Sequence, residues 1–350
     1  MTPNHSSPTI ADVAQRAGVS IATVSRVLNQ NTPVVPATAE RIHAAINELH
    51  YVPRTAARIL ASRRTDTLGL LLPEIGGAFF SPLLRGIEAE ARAAGFDLLI
   101  HATSHIAHAS TPSPRHTLAE HNTDGIIVFT QSIDSEELAR LRQLNFPVIL
   151  LYQTPPEALD IPAVIVENKS GAQMLVEHLI EVHGCKRIGF LRGPEGNQDS
   201  EQRMAGYRQA LRKHHIAWDP ALVGLGGFND EDANTTIQGW LAEGVEFDAV
   251  FTGDDDAAAG ALSALRRAGK KIPSEIKVVG FDDIPVARFL SPPLTTVRAP
   301  IELVGREAIR QVVHLIRGEP AESLSLMPTE LVIRESCGCP VDPSTGTEHL

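Results

Sequence analysis

Two groups of residues in this 350-residue chain have types and spacings that could do chemistry. The first lies near the start, in Ser20-Ile21-Ala22-Thr23-Val24-Ser25-Arg26. Ser20, Thr23 and Ser25 carry short hydroxyls suited to phosphate oxygens, and Arg26 offers the two-pronged donor that matches the edge of guanine. Ile21 and Ala22 are apolar at the front of the same segment, a liability in water but a fit against a thymine methyl. The second group is spread through the body. Asp254-Asp255-Asp256, Asp282-Asp283 and Arg203 combine carboxylates with a guanidinium. Vicinal hydroxyls require that set, because each hydroxyl donates to a carboxylate and accepts from an arginine. Phe79, Phe80, Trp218 and Phe228 add flat apolar faces for a sugar ring.

The first group needs a rigid mount, and the flanking sequence supplies one. Thr9-Ile10-Ala11-Asp12 has a capping-box pattern: Thr9 accepts from a free backbone N–H, and Asp12 sits in the positive first turn. Ile10, Val13, Ala14 and Ala17 follow at helical spacing, and Gly18 suits a left-handed stop. Ser20 then caps a second helix, Ile21 to Asn29, whose apolar stripe is Val24, Val27 and Leu28. A third helix runs from about Pro36 to Leu49 and turns Ile42, Ala45, Ile46 and Leu49 inward. The first two helices, joined by a tight turn, form a helix-turn-helix; Ala14 permits their close approach, and Val19 with Val24 pins them. Tyr51-Val52-Pro53 breaks the third helix. Arg54 to Ala61 is then a short, weakly amphipathic segment that cannot persist alone in water, and Arg63 to Asp66 reads as an exposed linker.

Charge follows the same division. The chain carries a net −11, yet residues 1–64 hold seven arginines against Asp12, Glu40 and Glu48, a balance of +4 that leaves −15 for the rest. A small basic head on a large acidic body suits a nucleic-acid reader with a separate sensing module.

From Leu68 the pattern becomes apolar runs alternating with helical stretches. Leu68–Leu72, Asp97–Ile100, Gly125–Phe129 and Val148–Leu151 read as four buried strands; Arg187–Leu191, Ala249–Thr252 and Lys277–Phe281 restart the rhythm. Apolar strands separated by helices imply parallel sheet covered on both faces, here in two lobes. Ser81-Pro82 reads as a cap and first-turn proline for a helix that Gly95 ends after Ala94, a candidate dimer face. Ser104 to Arg115 reads as a loop. Open α/β sheets bind ligands at the carboxyl ends of their strands. Asp254 to Asp256 follow the strand ending at Thr252, Asp282 and Asp283 follow the one ending at Phe281, and Arg203 falls early in a helix Gln202–His214. An aspartate in such a place is equally suited to capping the next helix.

Other classes fall away. No apolar run approaches the roughly 18 residues needed to span a bilayer, and Met1 to Pro8 lacks the features of a secretory signal. A cytoplasmic location without a membrane partner is expected. Cys185, Cys337 and Cys339 are too few for a disulfide framework. Cys337-Gly338-Cys339 has no second pair or histidine cluster beside it in the sequence, and closed zinc sites need four ligands; free thiols and no metal are expected. Phosphate loop, nucleophile elbow, His-Glu-x-x-His and Gly-rich dinucleotide turn are all missing from the sequence. His183 stands at a helix end, where dipole and solvent account for it. Neither catalysis nor a cofactor is expected.

The run Thr9-Ile10-Ala11-Asp12-Val13-Ala14-Gln15-Arg16-Ala17-Gly18-Val19-Ser20-Ile21-Ala22-Thr23-Val24-Ser25-Arg26-Val27-Leu28-Asn29 resembles the N-terminal signature of the lactose-repressor (LacI/GalR) family. Tyr51-Val52-Pro53 and Ala57-Arg58-Ile59-Leu60 resemble that family's hinge pattern, and the body is similar to its periplasmic-binding-protein-like core. The resemblance implies that Ile21, Ala22 and Arg26 read bases, that Ser20, Thr23, Ser25 and Asn29 lie near the DNA backbone, and that Leu60 enters the minor groove as a wedge. Thr9, Arg54 and Ala57 complete the expected DNA-binding set. Arg54 stands where many members have asparagine, and Val35 where a serine usually caps the third helix. In the body, Arg203-Met204-Ala205-Gly206-Tyr207 resembles the segment whose arginine binds the effector. Asp254 (often asparagine) and Asp282 align with effector contacts, with Asp199, Phe228 and Phe79 as secondary candidates. Tyr152 stands where sugar-binding members commonly carry aspartate.

The expected fold is an α/β core of two doubly wound parallel-sheet lobes, periplasmic-binding-protein-like, with an N-terminal all-α helix-turn-helix domain. The expected domains are 1–52 for the head, 53–66 for hinge helix and linker, 67–340 for the effector-binding and dimerisation body, and 341–350 for a flexible tail. The expected function is a homodimeric repressor of carbohydrate-utilisation genes on pseudo-palindromic double-stranded operator DNA, released by a sugar effector. The hinge is expected to fold only when two copies meet DNA. A purine or other non-sugar co-repressor that strengthens DNA binding is the open alternative. A transport-type sugar-binding protein would carry an export signal and no basic head.

Overall fold

The computed structural model describes residues 8–29, 34–51, 64–103, 120–130, 132–156 and 159–340. The expected hinge with Arg54, Ala57 and Leu60, the loop Ser104–Arg115 and the tail 341–350 lie outside the described residues. The chain divides into two compact units, Met1–Thr67 and Leu68–Leu350.

The first unit holds α1 (Ile10–Ala17), α2 (Ile21–Asn29) and α3 (Pro36–Leu49). The capping box forms: the Thr9 hydroxyl accepts from the Asp12 N–H at 3.4 Å, and the Asp12 carboxylate accepts from the Thr9 N–H at 2.8 Å. Gly18 ends α1 at φ 64°, a left-handed value that costs glycine nothing. Arg41 of α3 donates to the Ala17 and Gly18 carbonyls, tying down the turn. Ser20 Oγ accepts from the Thr23 N–H at 3.2 Å and so starts α2. α3 begins at Val35 without a side-chain cap and relies on Pro36 in its first turn. Val13, Ala14, Ala17, Val24, Ile42 and Ala45 form the core, and Tyr51, read from sequence only as the end of α3, closes it.

The second unit contains two six-stranded sheets. Lobe 1 is built from β1 (Thr67–Leu72), β2 (Asp97–Ala102), β3 (Gly125–Phe129), β4 (Val148–Leu151), β5 (Ala163–Val166) and β11 (Leu324–Met327), in the order β11-β5-β4-β3-β1-β2. Lobe 2 is built from β6 (Ile188–Arg192), β7 (Val223–Leu225), β8 (Ala249–Thr252), β9 (Lys277–Asp282), β10 (Thr295–Arg298) and β12 (Glu330–Val332), in the order β12-β10-β9-β8-β6-β7. Pairing in lobe 2 is parallel except where β12 runs antiparallel to β10. The chain passes between lobes after β5, β10 and β11.

In lobe 1, α4 (Phe80–Ala94) and α10 (Ile301–Ile316) bury Leu83, Ile87, Val304 and Ile309 against one sheet face, while α5 (Ser135–Gln143) covers the other with Leu138 and Leu141. Gly86 is the contact point of α4 and α10; a Cβ there would stand 2.0 Å from the Glu302 carbonyl oxygen. In lobe 2, α6 (Asn168–Glu181) and α7 (Gln198–Lys213) cover one face, and α8 (Asp230–Glu243) and α9 (Asp255–Arg267) the other.

Four readings of the sequence change. Asp97–Ile100 is an edge strand and not a buried one: β2 ends its sheet, and Leu99 and Ile100 are 42% and 39% exposed. Ser81 does not cap α4, because the helix already begins at Phe80; its hydroxyl takes a bond from Arg85 at 3.4 Å instead. α7 begins at Gln198 rather than Gln202, capped by Asn197, which accepts from the Ser200 N–H at 3.0 Å. Asp199 thereby enters the first turn of the helix that carries Arg203. The strands β5, β7, β10, β11 and β12 were not anticipated; each has four residues or fewer and, unlike the equally short β4 and β8, is not buried along its whole length.

Candidate functional site

The first unit presents one face of α2. Ile21 is 50% exposed, Ala22 and Arg26 are exposed beside it, and Val24 turns into the core. Ser20 is exposed at the helix start, with its hydroxyl 2.8 Å from that of Thr23. Thr23 and Ser25 are half-buried, and Asn29 closes the helix. Hydroxyls, two apolar side chains and one guanidinium therefore share a surface that the α1 packing holds at a fixed angle. Thr9 is different: its hydroxyl donates to the Asp12 carboxylate at 2.7 Å, so it is committed to the cap.

In the second unit the polar residues meet where the strand order reverses. In lobe 2 that point lies between β6 and β8, and α7 and α9 start from those strands. Arg203, 2% exposed, is gripped on all sides. Its Nε donates to Asn168 at 2.8 Å, one terminal nitrogen donates to the Gly253 carbonyl at 2.5 Å, and the other donates to Asp282 at 2.9 Å. Its carbon Cζ lies 3.8 Å from the Phe281 ring centre and 5.5 Å from that of Phe228. Gly193 admits the Phe228 ring, since a Cβ there would be 2.3 Å from it.

Asp199 accepts from Asn168 at 2.7 Å, so one asparagine orients both the arginine and this carboxylate. The Asp199 carboxyl lies deep, although part of the residue reaches the surface. Burial pushes it up to about 7, with Arg203 opposing and Asp282 adding to the shift. Asp254 caps α9 by accepting from the Ala257 N–H at 2.9 Å. Burial, then the Asp282 charge, pushes Asp254 up to about 8. Burial also raises Asp282 itself, with Arg203 holding it back. Asp255 belongs to the scaffold, accepting from the Thr296 hydroxyl at 2.6 Å and the Ile284 N–H at 2.9 Å.

Lobe 1 contributes rings. Phe79 lies 5.3 Å from Tyr152 and 5.5 Å from Phe80, and Phe129 lies 5.2 Å from Tyr152 (ring centres). Tyr152 is 1% exposed, and its hydroxyl has no hydrogen-bond partner among the described residues. Burial, then the charges of Asp199 and Asp282, push its phenol well above the usual range. Phe80, expected as a stacking face, is buried behind Phe79. Trp218 is not in this group; it lines a separate cavity of about 730 Å³ on lobe 2, with the Arg208 guanidinium 4.0 Å from its ring. A second cavity of about 780 Å³ lies at the join of the lobes, where Asp282 and Asp283 meet Arg85, Arg298 and Glu330.

The fold thus gathers Asp199, Arg203, Phe228, Asp254 and Asp282 in lobe 2, and Phe79 and Tyr152 pack together in lobe 1. Sequence reasoning missed Asn168, Phe281 and Phe129. Phe281 and Phe129 stand at strand carboxyl ends, but a lone phenylalanine there also reads as core. Asn168 opens the helix after β5, a strand that was not foreseen. Sequence reasoning also missed two partners of Cys339, whose Sγ lies 3.4 Å from His183 Nε2 and 3.7 Å from His178 Nε2.

A groove-sized helix on a small head, with a two-lobed body that gathers carboxylates, a guanidinium and rings at one point, defines a ligand-sensing DNA-binding regulator. Residues 9–54 match the model of bacterial regulatory proteins of the lacI family, and residues 176–337 match a periplasmic binding protein-like domain. The ribose operon repressor of Halalkalibacterium halodurans is 35% identical over 329 residues, covering 94% of this chain and 96% of that protein. Among solved structures, a transcriptional regulator CelR–cellobiose complex is similar at a TM-score of 0.70 and 32% identity, covering 94% of this chain and 99% of that one. A Lac repressor dimer bound to operator and an anti-inducer is similar at a TM-score of 0.83 and 26% identity, covering 95% and 99%. The chain belongs to the lacI family of bacterial regulatory proteins and is a helix-turn-helix transcriptional regulator. Among the described residues, no helix is long and apolar enough to cross a membrane.

Proposed function

We propose that this protein is a cytoplasmic, homodimeric repressor of carbohydrate-utilisation genes whose hold on a pseudo-palindromic operator is released by a sugar. One observation carries the sugar assignment: a buried arginine–carboxylate pair, Arg203–Asp282, lies close to Asp199 and Asp254 in lobe 2, while lobe 1 carries the buried, unpartnered Tyr152 hydroxyl. Sugar hydroxyls both donate and accept, so a pyranose or furanose ring fits such a set, with Phe79 and Phe228 against its apolar faces. The likeness to a cellobiose complex supports the same class. Catalysis forms no part of this reading.

On the DNA side, Ile21, Ala22 and Arg26 read base edges in the major groove, and Ser20, Thr23, Ser25 and Asn29 contact phosphates. Thr9 acts by holding the start of α1, and Arg54, Ala57 and Leu60 serve as hinge contacts. The domains are 1–52, 53–66, 67–340 and 341–350, as expected from sequence. The likeness to an operator-bound dimer supports two-fold binding to two half-sites. Sugar binding to one arrangement of the lobes then shifts the spacing of the paired hinges. Moving occupancy from 99:1 to 1:99 takes roughly a 10⁴-fold difference in affinity between arrangements.

The test is a thermal-shift screen against sugars and purine nucleosides, followed by operator shift assays with each hit. The reading predicts stabilisation by a sugar and weaker DNA binding in its presence. A purine hit that tightens DNA binding, with no sugar hit, overturns it in favour of a co-repressor.

A further inference from the structure

We propose that lobe 2 carries a Cys2His2 site for a zinc-class divalent ion, formed by His178, His183, Cys337 and Cys339. The two pairs are more than 150 residues apart in sequence, which is why Cys337-Gly338-Cys339 reads as isolated thiols in the linear chain. The fold brings their four donor atoms within 4.8 Å of one another.

His178 projects from the last turn of α6, and His183 follows two residues after the helix ends. Their rings stand 5.0 Å apart at 78°, so the two nitrogens converge without stacking. Cys337 ends the short turn Glu335–Cys337, and Gly338 at φ 100° reverses the chain before Cys339. That conformation is one few side chains adopt, and it turns two sulfurs separated by one residue toward the same point. Cys339 Sγ lies 3.4 Å from one Nε2 and 3.7 Å from the other. Ligands about 2.3 Å (sulfur) and 2.0–2.1 Å (nitrogen) from a common tetrahedral centre stand about 3.6 Å apart, so the observed edges bracket the required one.

The surroundings suit a structural site. Cys337 is fully buried, and the Thr295 hydroxyl lies 3.1 Å from its sulfur, positioned to donate to a thiolate. Two thiolates would cancel the charge of a divalent ion, which matters beside Lys277. Soft sulfur with imidazole selects zinc over magnesium or calcium. The ion would fasten the turn Cys337-Gly338-Cys339 to α6, whose first residue, Asn168, orients Arg203 and Asp199. Its effect would be to brace the effector side of lobe 2 from the opposite end of that helix.

The experiment uses the full-length chain, reduced with a phosphine in metal-free buffer and titrated with Co²⁺, then with Zn²⁺. The proposal predicts about one Co²⁺ per chain with tetrahedral visible bands and a thiolate charge-transfer band, displaced by about one Zn²⁺. Loss of a direct ligand should exceed the 10–100-fold cost of losing an outer partner, so Cys339→Ser and His183→Gln should each weaken Zn²⁺ binding by more than about 100-fold. Zn²⁺ should raise the Tm of the parent chain and not that of either variant. Both variants alter partly exposed residues, and far-UV circular dichroism checks their fold. Failure to bind Co²⁺ stoichiometrically, an octahedral spectrum, or folded variants that bind like the parent would each overturn the proposal. The parent spectrum decides alone if both variants misfold.

Discussion

The head and the body solve opposite problems with their functional groups. On the head, Ile21, Ala22 and Arg26 are left exposed on one helix, and a small core of Val13, Ala14, Val24 and Ile42 does nothing but fix the angle of that helix. In the body, Arg203, Asp254 and Asp282 are buried and bonded to protein atoms. The head waits for a large polyanion that supplies its own charge, so exposure costs little. A small neutral ligand, as proposed for the body, requires polar groups held out of water, and most of them need protein partners when no ligand is present. The difference predicts that substitutions on the exposed face of α2 cost affinity, whereas substitutions in the body's buried cluster cost stability and response together.

The largest effect should come from breaking the body's buried pair. Asp282→Ala strands the Arg203 guanidinium, and chemical denaturation should show a loss of about 3–5 kcal/mol in the second unit. Operator binding by the surviving folded protein should no longer respond to sugar. A loss below about 1 kcal/mol, the range of an exposed pair, would break the comparison.

Next in size is Arg26→Ala. Operator affinity, followed by fluorescence anisotropy at fixed salt, should fall by about 1–3 kcal/mol, with relaxed preference at one base pair. The sugar-induced rise in Tm should not change. A matching loss of sugar response would show that the two surfaces are not separable.

Thr9→Ala removes the capping hydroxyl of α1 and should destabilise the head by about 1 kcal/mol. Hydrogen exchange of the α1 amides reads this directly. An effect confined to DNA affinity, with exchange unchanged, would return Thr9 to the contact surface.

A fourth test is a slope with pH. Asp199 and Asp254 have folded-state values raised from 3.8 to about 7 and about 8. A raised carboxyl favours the folded state when protonated, so its contribution is complete below pH 4 and is lost as pH rises through the folded value. Asp199→Asn and Asp254→Asn stay neutral throughout. The Tm of each variant relative to the parent should therefore rise between pH 4 and 8. A difference that is flat across that window would mean that these carboxyls are ionised at little cost.

The same contrast explains what could be seen in the sequence. The head was legible almost completely, because a capping box, a left-handed glycine and a helical stripe are local signals within some forty residues. Tyr51 and Arg41 escaped, since the core place of the one and the carbonyl partners of the other are set by the packing of the three helices. In the body, the buried apolar strands β1, β3, β8 and β9 announced the two lobes. The early start of α7 did not, because Gln198 to Glu201 are polar and carry no stripe. Arg203, Asp254 and Asp282 were accessible through strand-end positions and resemblance. Asn168 and the two histidines were not, since their partners lie 31 to 161 residues away and only the fold joins them.

The central claim is that occupancy of the body's polar cluster sets the head's grip on DNA. The direct measurement selects the preferred genomic duplex with the purified protein, then follows its anisotropy while the sugar identified by thermal shift is added. The account predicts release from the parent chain, and equally tight DNA binding without release from Arg203→Gln. Release from both proteins alike, or DNA binding that no stabilising sugar changes, would contradict it.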